Sequence, residues 1–224
     1  MTDTSGFQPA ERKHTSFLAA AEKKALLRIA NQIPQWVNSD HLTVLGFCSL
    51  VLAGAWYWSA RTHSWALIAV IPFLALNWFG DSLDGTLARV RNRQRPRYGF
   101  YVDHILDAIG TCFLMSGMAL SGYMTPIVAY AFLIAYLLIS IEVYLATYTL
   151  GTFHLSYWNF GPTELRLLLV AGNLFALWRP NVDLGFRKFL LFDVGFAIGT
   201  AALAIILVQA TTRHVKILYR QETL

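Results

Sequence analysis

Four aspartates, Asp81, Asp84, Asp103 and Asp107, lie between long apolar runs, with Arg89, Arg91, Arg93, Arg95 and Arg97 among them. An ionised carboxylate near the middle of a spanning helix costs about 3 kcal/mol on insertion scales. Four together need compensation, from cations, from arginine partners or from protonation. Asp81 and Asp84 are three residues apart and Asp103 and Asp107 four apart, so each pair shares one helical face. The short loop between them predicts an antiparallel helix hairpin, which brings both pairs to one depth. Converging carboxylates repel unless cations sit among them, and hard divalent ions such as Mg2+ or Mn2+ prefer oxygen ligands. Two such ions about 4 Å apart clamp the attacking and leaving oxygens of a phosphoryl transfer. The alternative is that the acids pair with the five arginines, as helix-end acids commonly do. Two facing pairs flanked by Gly85 and Gly99 favour the metal reading. A glycine beside a metal lets a ligand approach the backbone, and serves equally as a helix-packing contact.

The elements that hold these acids follow from composition. Of 224 residues, 56% are hydrophobic and 14% charged, against roughly 25% charged in a soluble domain. The expectation is a single all-α membrane domain over residues 1–224. Six apolar segments read as spans: Leu42–Ala60, Trp65–Ala88, Phe100–Ser121, Pro126–Leu150, Pro162–Trp178 and Phe189–Ala210. Together they make a six-span bundle over residues 42–210. Most approach the roughly 20 residues a spanning helix needs; the fifth, at 17, is short. Ahead of them, residues 16–37 carry Leu18, Ala21, Leu26, Ile29 and Ile33 at helical spacing, with Glu22, Lys23, Lys24 and Arg28 between. That pattern predicts an amphipathic interfacial helix, the alternative being a helix packed on a partner. The polar first fifteen residues predict no cleavable signal peptide.

The net charge of +5 does not point to nucleic acid, because the basic residues cluster at the ends of apolar segments, where they face an anionic leaflet and fix topology. Lys and Arg concentrate before the first span, in the loop after the second and in the C-terminal tail. This predicts an integral membrane protein, of a bacterial inner membrane or ER-type membrane, with the acidic stretch facing the cytoplasm. Cys48 and Cys112 fall in apolar segments and exclude a disulfide framework by number.

Asp81-x-x-Asp84-Gly85-x-x-Ala88-Arg89 followed by Gly99-x-x-x-Asp103-x-x-x-Asp107 resembles the signature of the CDP-alcohol phosphotransferases, with all eight fixed positions filled. Nine residues separate Arg89 from Gly99, one more than the family's usual spacing, which alters the arginine loop rather than the acids. The resemblance implies cleavage of the pyrophosphate of a CDP-linked alcohol. The distal phosphoryl group passes with its substituent to the hydroxyl of an acceptor alcohol, and CMP is released. It implies that Asp81, Asp84, Asp103 and Asp107 hold two divalent metals, Mg2+ or Mn2+, with Asp107 also the base for the acceptor hydroxyl. Gly85, Ala88, Arg89 and Gly99 would shape the cytidine nucleotide pocket, membrane lipids would supply a substrate, and a homodimer is suggested. Asp103-His104 also matches the Asp-His pair of the choline and ethanolamine phosphotransferases, which makes His104 a rival base.

Weaker signals surround this core. Ser39–Gly46 resembles the family's lead into its first span, without the usual Pro and Asn; Thr43 there lines the nucleotide pocket, caps the helix or packs. Glu164 and Arg166, at the start of the fifth span, should face the bundle interior, binding a headgroup or forming an ion pair. Residues 159–164, NFGPTE, echo the aminoalcohol enzymes. The tryptophans near span ends read as an aromatic belt. Two functions compete: phosphatidyl transfer from CDP-diacylglycerol to a polar alcohol, which the short chain favours, and transfer from a CDP-aminoalcohol to diacylglycerol. A membrane prenyltransferase would need a second aspartate pair downstream, where the only aspartates, Asp183 and Asp193, stand ten apart and form no pair. An ion transporter would not need the glycines and Arg89.

Overall fold

A computed structural model describes residues 11–13, 19–154, 161–183, 185 and 187–222. Among the described residues there are seven helices: α1 Ala19–Gln32, α2 Ser39–Ser59, α3 Ala66–Val90, α4 Pro96–Leu120, α5 Pro126–Leu150, α6 Pro162–Trp178 and α7 Leu191–Gln221. Four three-residue strands accompany them. β1 (Glu11–Lys13) pairs in parallel with β2 (Thr152–His154), and β3 (Asn181–Asp183) pairs antiparallel with β4 (Lys188–Leu190) between α6 and α7.

The helix boundaries have local causes. Asn38 caps α2, its side chain accepting from the His41 N–H at 3.0 Å, while the His41 ring accepts from the Asn38 N–H. Proline opens α4, α5 and α6, where its missing N–H would have no partner in any case. At the end of α3, Asn92 is left-handed (φ 52°), Asn92 N–H reaches Arg89 O and Arg93 N–H reaches Ala88 O, the double closure that ends many helices. No glycine or proline interrupts residues 200–222, so Arg213, Lys216 and Arg220 extend α7 as helix instead of forming a separate tail.

Among the described residues four helices, α2, α3, α5 and α7, are long and apolar enough to cross a membrane. The expected six are not reproduced: α6 has 17 residues, and the 25 residues of α4 include Arg97, Asp103 and Asp107. The interfacial placement expected of the N-terminal helix is not confirmed. Leu26 and Ala30 of α1 are buried with Leu42, Leu83 and Leu87, so its apolar stripe packs on α2 and α3.

The expected hairpin of α3 and α4 is corrected too: both pack chiefly on α2. Small residues make this possible. A Cβ on Gly80 of α3 would lie 2.5 Å from Leu42 O, and one on Gly117 of α4 would lie 2.0 Å from Gly54 O. Both distances are below any real contact, so α2 touches each neighbour backbone to backbone. Helix α2 is thus the post on which α3 and α4 are hung, and the acidic residues line the wedge between them. The larger core lies deeper, where Tyr57, Leu67, Val70, Leu74, Met115 and Met118 are almost fully buried. There Tyr57 donates to Asn173 Oδ1 of α6 at 2.9 Å and meets Phe192 of α7 edge-on. Among the described residues, Asn173 Nδ2 has no partner. Tyr57→Phe should therefore cost about 1–3 kcal/mol by leaving a second buried polar atom unpaired, read as a lower denaturation midpoint of the protein in detergent.

Candidate active site

Helix α3 supplies Asp81, and α4 supplies Asp103 and Asp107 one turn apart. Each offers a carboxylate oxygen, and the three oxygens lie within 4.8 Å of one another. Asp84 stands outside this triad. Its Oδ2 accepts from Thr43 Oγ1 at 2.6 Å, its Oδ1 from the Gly85 N–H, and its carbonyl from Ser39 Oγ at 2.8 Å. The reason is angular. Three residues turn a helix by about 300°, so Asp81 and Asp84 diverge by about 60°, one toward α4 and α6, the other toward α2. The cap of α2 is Asn38, not Thr43, whose single hydroxyl proton is shared between Asp84 Oδ2 and, at 3.1 Å, Ser39 O.

Arg166 of α6 completes the cluster. Its Nη2 meets Asp81 Oδ2 at 2.6 Å and its Nε meets Asn77 Oδ1 at 2.8 Å, while Asn77 Nδ2 donates to Gly46 O at 3.1 Å. Of the two roles weighed for Arg166, the ion pair is present. Glu164 instead caps its own helix by accepting the Gly161 N–H at 2.9 Å. Two of the arginine-loop residues face the N-terminal segment: Arg91 donates to the carbonyls of Ile33, Pro34 and Val37, and Arg95 pairs with Asp40.

The remaining signature residues lie around the acids. Arg89 donates to Thr86 Oγ1 at 3.0 Å. Among the described residues, a Cβ on Gly85 would meet only the Arg89 guanidinium, at 3.5 Å, and one on Gly99 would meet nothing within 4 Å. Neither is a packing glycine, in contrast to Gly46, Gly54, Gly80, Gly110, Gly117 and Gly172. Ala88 is half-buried on the last turns of α3. His104 turns its Nδ1 to Phe100 O at 2.6 Å, with Asp103 Oδ2 at 3.7 Å. A carbonyl can only accept, so that Nδ1 carries the proton and Nε2 is the basic atom. The ring stacks on Phe100 and meets Tyr144 of α5 edge-on.

The downstream aspartates are used structurally: Asp193 accepts the Thr125 N–H at 2.7 Å, and Asp183 accepts the Gly185 N–H at 2.9 Å. Asn159, Phe160 and Trp158 lie outside the described residues, as does Leu18 of the N-terminal stripe. Two features went unread in the sequence. Glu22 of α1, expected on the polar face, points into the bundle. Glu142 of α5 meets His214 of α7 at 2.5 Å; an acid inside an apolar helix was signal enough to look for such a partner.

Three facing carboxylate oxygens suit a hard divalent cation, which takes oxygen ligands and tolerates a small protein ligand set. A sequence model of one family, CDP-alcohol phosphatidyltransferase, matches residues 36–211. No curated protein sequence matches the chain.

Proposed function

The chain belongs to the CDP-alcohol phosphatidyltransferase family, a family of divalent-metal-dependent transferases of phosphate-containing groups that act on a CDP-alcohol, and on that premise we propose that it moves a phosphatidyl group from CDP-diacylglycerol to a polar alcohol. The observation that carries the reading is the convergence of Asp81, Asp103 and Asp107. Mg2+ or Mn2+ held by these acids, with Asp84 as fourth ligand of a two-metal site, would supply Lewis-acid stabilisation of the diphosphate.

The chain's own residues do the rest. Asp107 accepts the proton of the acceptor hydroxyl, and the oxygen bonds to the phosphorus that carries diacylglycerol. The bond from that phosphorus to the bridging oxygen breaks, and CMP leaves with the electron pair. Arg89 neutralises the nucleotide phosphate. Gly85 and Gly99, with no side chain of their own in the way, let the nucleotide approach the backbone, and Ala88 and Thr43 border it. Helices α2–α7 act as six spans of one domain, with α1 on the inner membrane surface and the acids open to the cytoplasm. A homodimer is the expected assembly.

A second reading, transfer from CDP-choline or CDP-ethanolamine to diacylglycerol, is favoured by one observation: His104 lies beside Asp103 with its Nδ1 against Phe100 O. CMP release by the purified protein separates them. CDP-diacylglycerol with a panel of polar alcohols should yield CMP. Release from CDP-choline with diacylglycerol, and none from CDP-diacylglycerol, would reverse the assignment.

A further inference from the structure

Glu22 lies in the first turn of α1, outside the signature and far from it in sequence. Its Oε1 accepts three hydrogen bonds: from Trp78 Nε1 at 2.8 Å and Ser82 Oγ at 3.1 Å on α3, and from Thr163 Oγ1 at 3.1 Å on α6. These donors flank the Arg166–Asp81 ion pair. Ser82 follows Asp81 directly in α3, and Thr163 stands three residues, nearly one turn, before Arg166 in α6. One carboxylate oxygen therefore ties together the two helices whose side chains meet at the acidic cluster. The first turn of α6 is closed onto itself by Glu164 and Gly161, and through Thr163 the Glu22 carboxylate adds a tie from that turn to α3, beside the bonds of Arg166 to Asp81 and Asn77 one turn along.

We propose that Glu22 is a positioning residue for the acidic site: by clamping α6 to α3 it sets the reach of Arg166 to Asp81 Oδ2 and so keeps the Asp81 carboxylate aimed at Asp103 and Asp107. The inference rests on the functional reading above. All three partners of Glu22 are neutral donors, so the role needs an acceptor oxygen of the right reach, not a negative charge. Glutamine keeps that oxygen and alanine removes it. Groups that orient metal ligands from behind are worth about 10–100-fold in metal affinity or activity.

The test uses the full chain in lipid nanodiscs, with Mn2+ binding followed by electron paramagnetic resonance and CMP release measured on the same samples. Glu22→Ala should weaken Mn2+ binding and lower kcat, each by about 10-fold or more, and Glu22→Gln should recover most of both. Because Glu22 acts through Arg166, adding Glu22→Ala to Arg166→Ala should cost no further turnover. Multiplicative losses in the double variant, or a Glu22→Gln protein as impaired as Glu22→Ala, would overturn the proposal. So would wild-type Mn2+ affinity in Glu22→Ala, with the functional reading left standing. A wild-type protein that neither binds Mn2+ nor releases CMP would overturn both.

Discussion

Asp107→Asn should abolish CMP release, lowering it by about 10³-fold or more, while the protein stays folded. A positioned general base contributes about 10²–10⁴-fold, and in this reading Asp107 is also a metal ligand, so one substitution removes both contributions. Asparagine is nearly isosteric with aspartate, and it removes a charge that the cluster must otherwise hold beside Asp81 and Asp103. Folding stability should therefore be unchanged or raised. Asp81→Asn makes the informative contrast. It removes the ion-pair partner of Arg166, whose side chain is only 16% exposed, so activity and stability should fall together, the latter by about 1–3 kcal/mol or more. Turnover assays and melting curves on the same preparations read both. An Asp107→Asn protein with near-wild-type turnover would remove this residue from the mechanism.

Gly117→Ala should be the most damaging small substitution for the fold. The added Cβ would sit 2.0 Å from Gly54 O and 2.5 Å from Gly54 C, and backbone atoms cannot rotate aside as a side chain can. Overpacking in a core costs about 1–3 kcal/mol, and more where the obstacle is rigid; here α4 must move off α2. Asp103 and Asp107 ride on α4 while Asp81 rides on α3, so the carboxylates would separate as the helices do, and activity would be lost with stability. Gly99→Ala is the control for folding, since its Cβ meets nothing within 4 Å. Expression yield and monodispersity in detergent should collapse for Gly117→Ala and hold for Gly99→Ala.

What could be read from the sequence was what chemistry constrains at short range. The acids announced themselves because charge is costly in an apolar chain, and the starts of α5 and α6 were marked by Pro126 and Pro162. Pairing between distant helices was less accessible. The glycines at 46, 54, 80 and 117 have no property in sequence that says which backbone each admits, so α2 as the common post was not evident. A near-whole number of turns hid the 60° offset that sends Asp84 to Thr43 and Asp81 to Arg166. Glu22 looked like one more polar residue on the charged face of α1. Its role depends on donors at positions 78, 82 and 163, which only tertiary packing brings together.

Locating the bound cation addresses the central claim without relying on turnover. Crystals of the protein grown with Mn2+ and measured near the manganese absorption edge should show anomalous density about 2.0–2.3 Å from carboxylate oxygens of Asp81, Asp103 and Asp107. Manganese bound elsewhere, with these three carboxylates unligated in a preparation that still releases CMP, would contradict it.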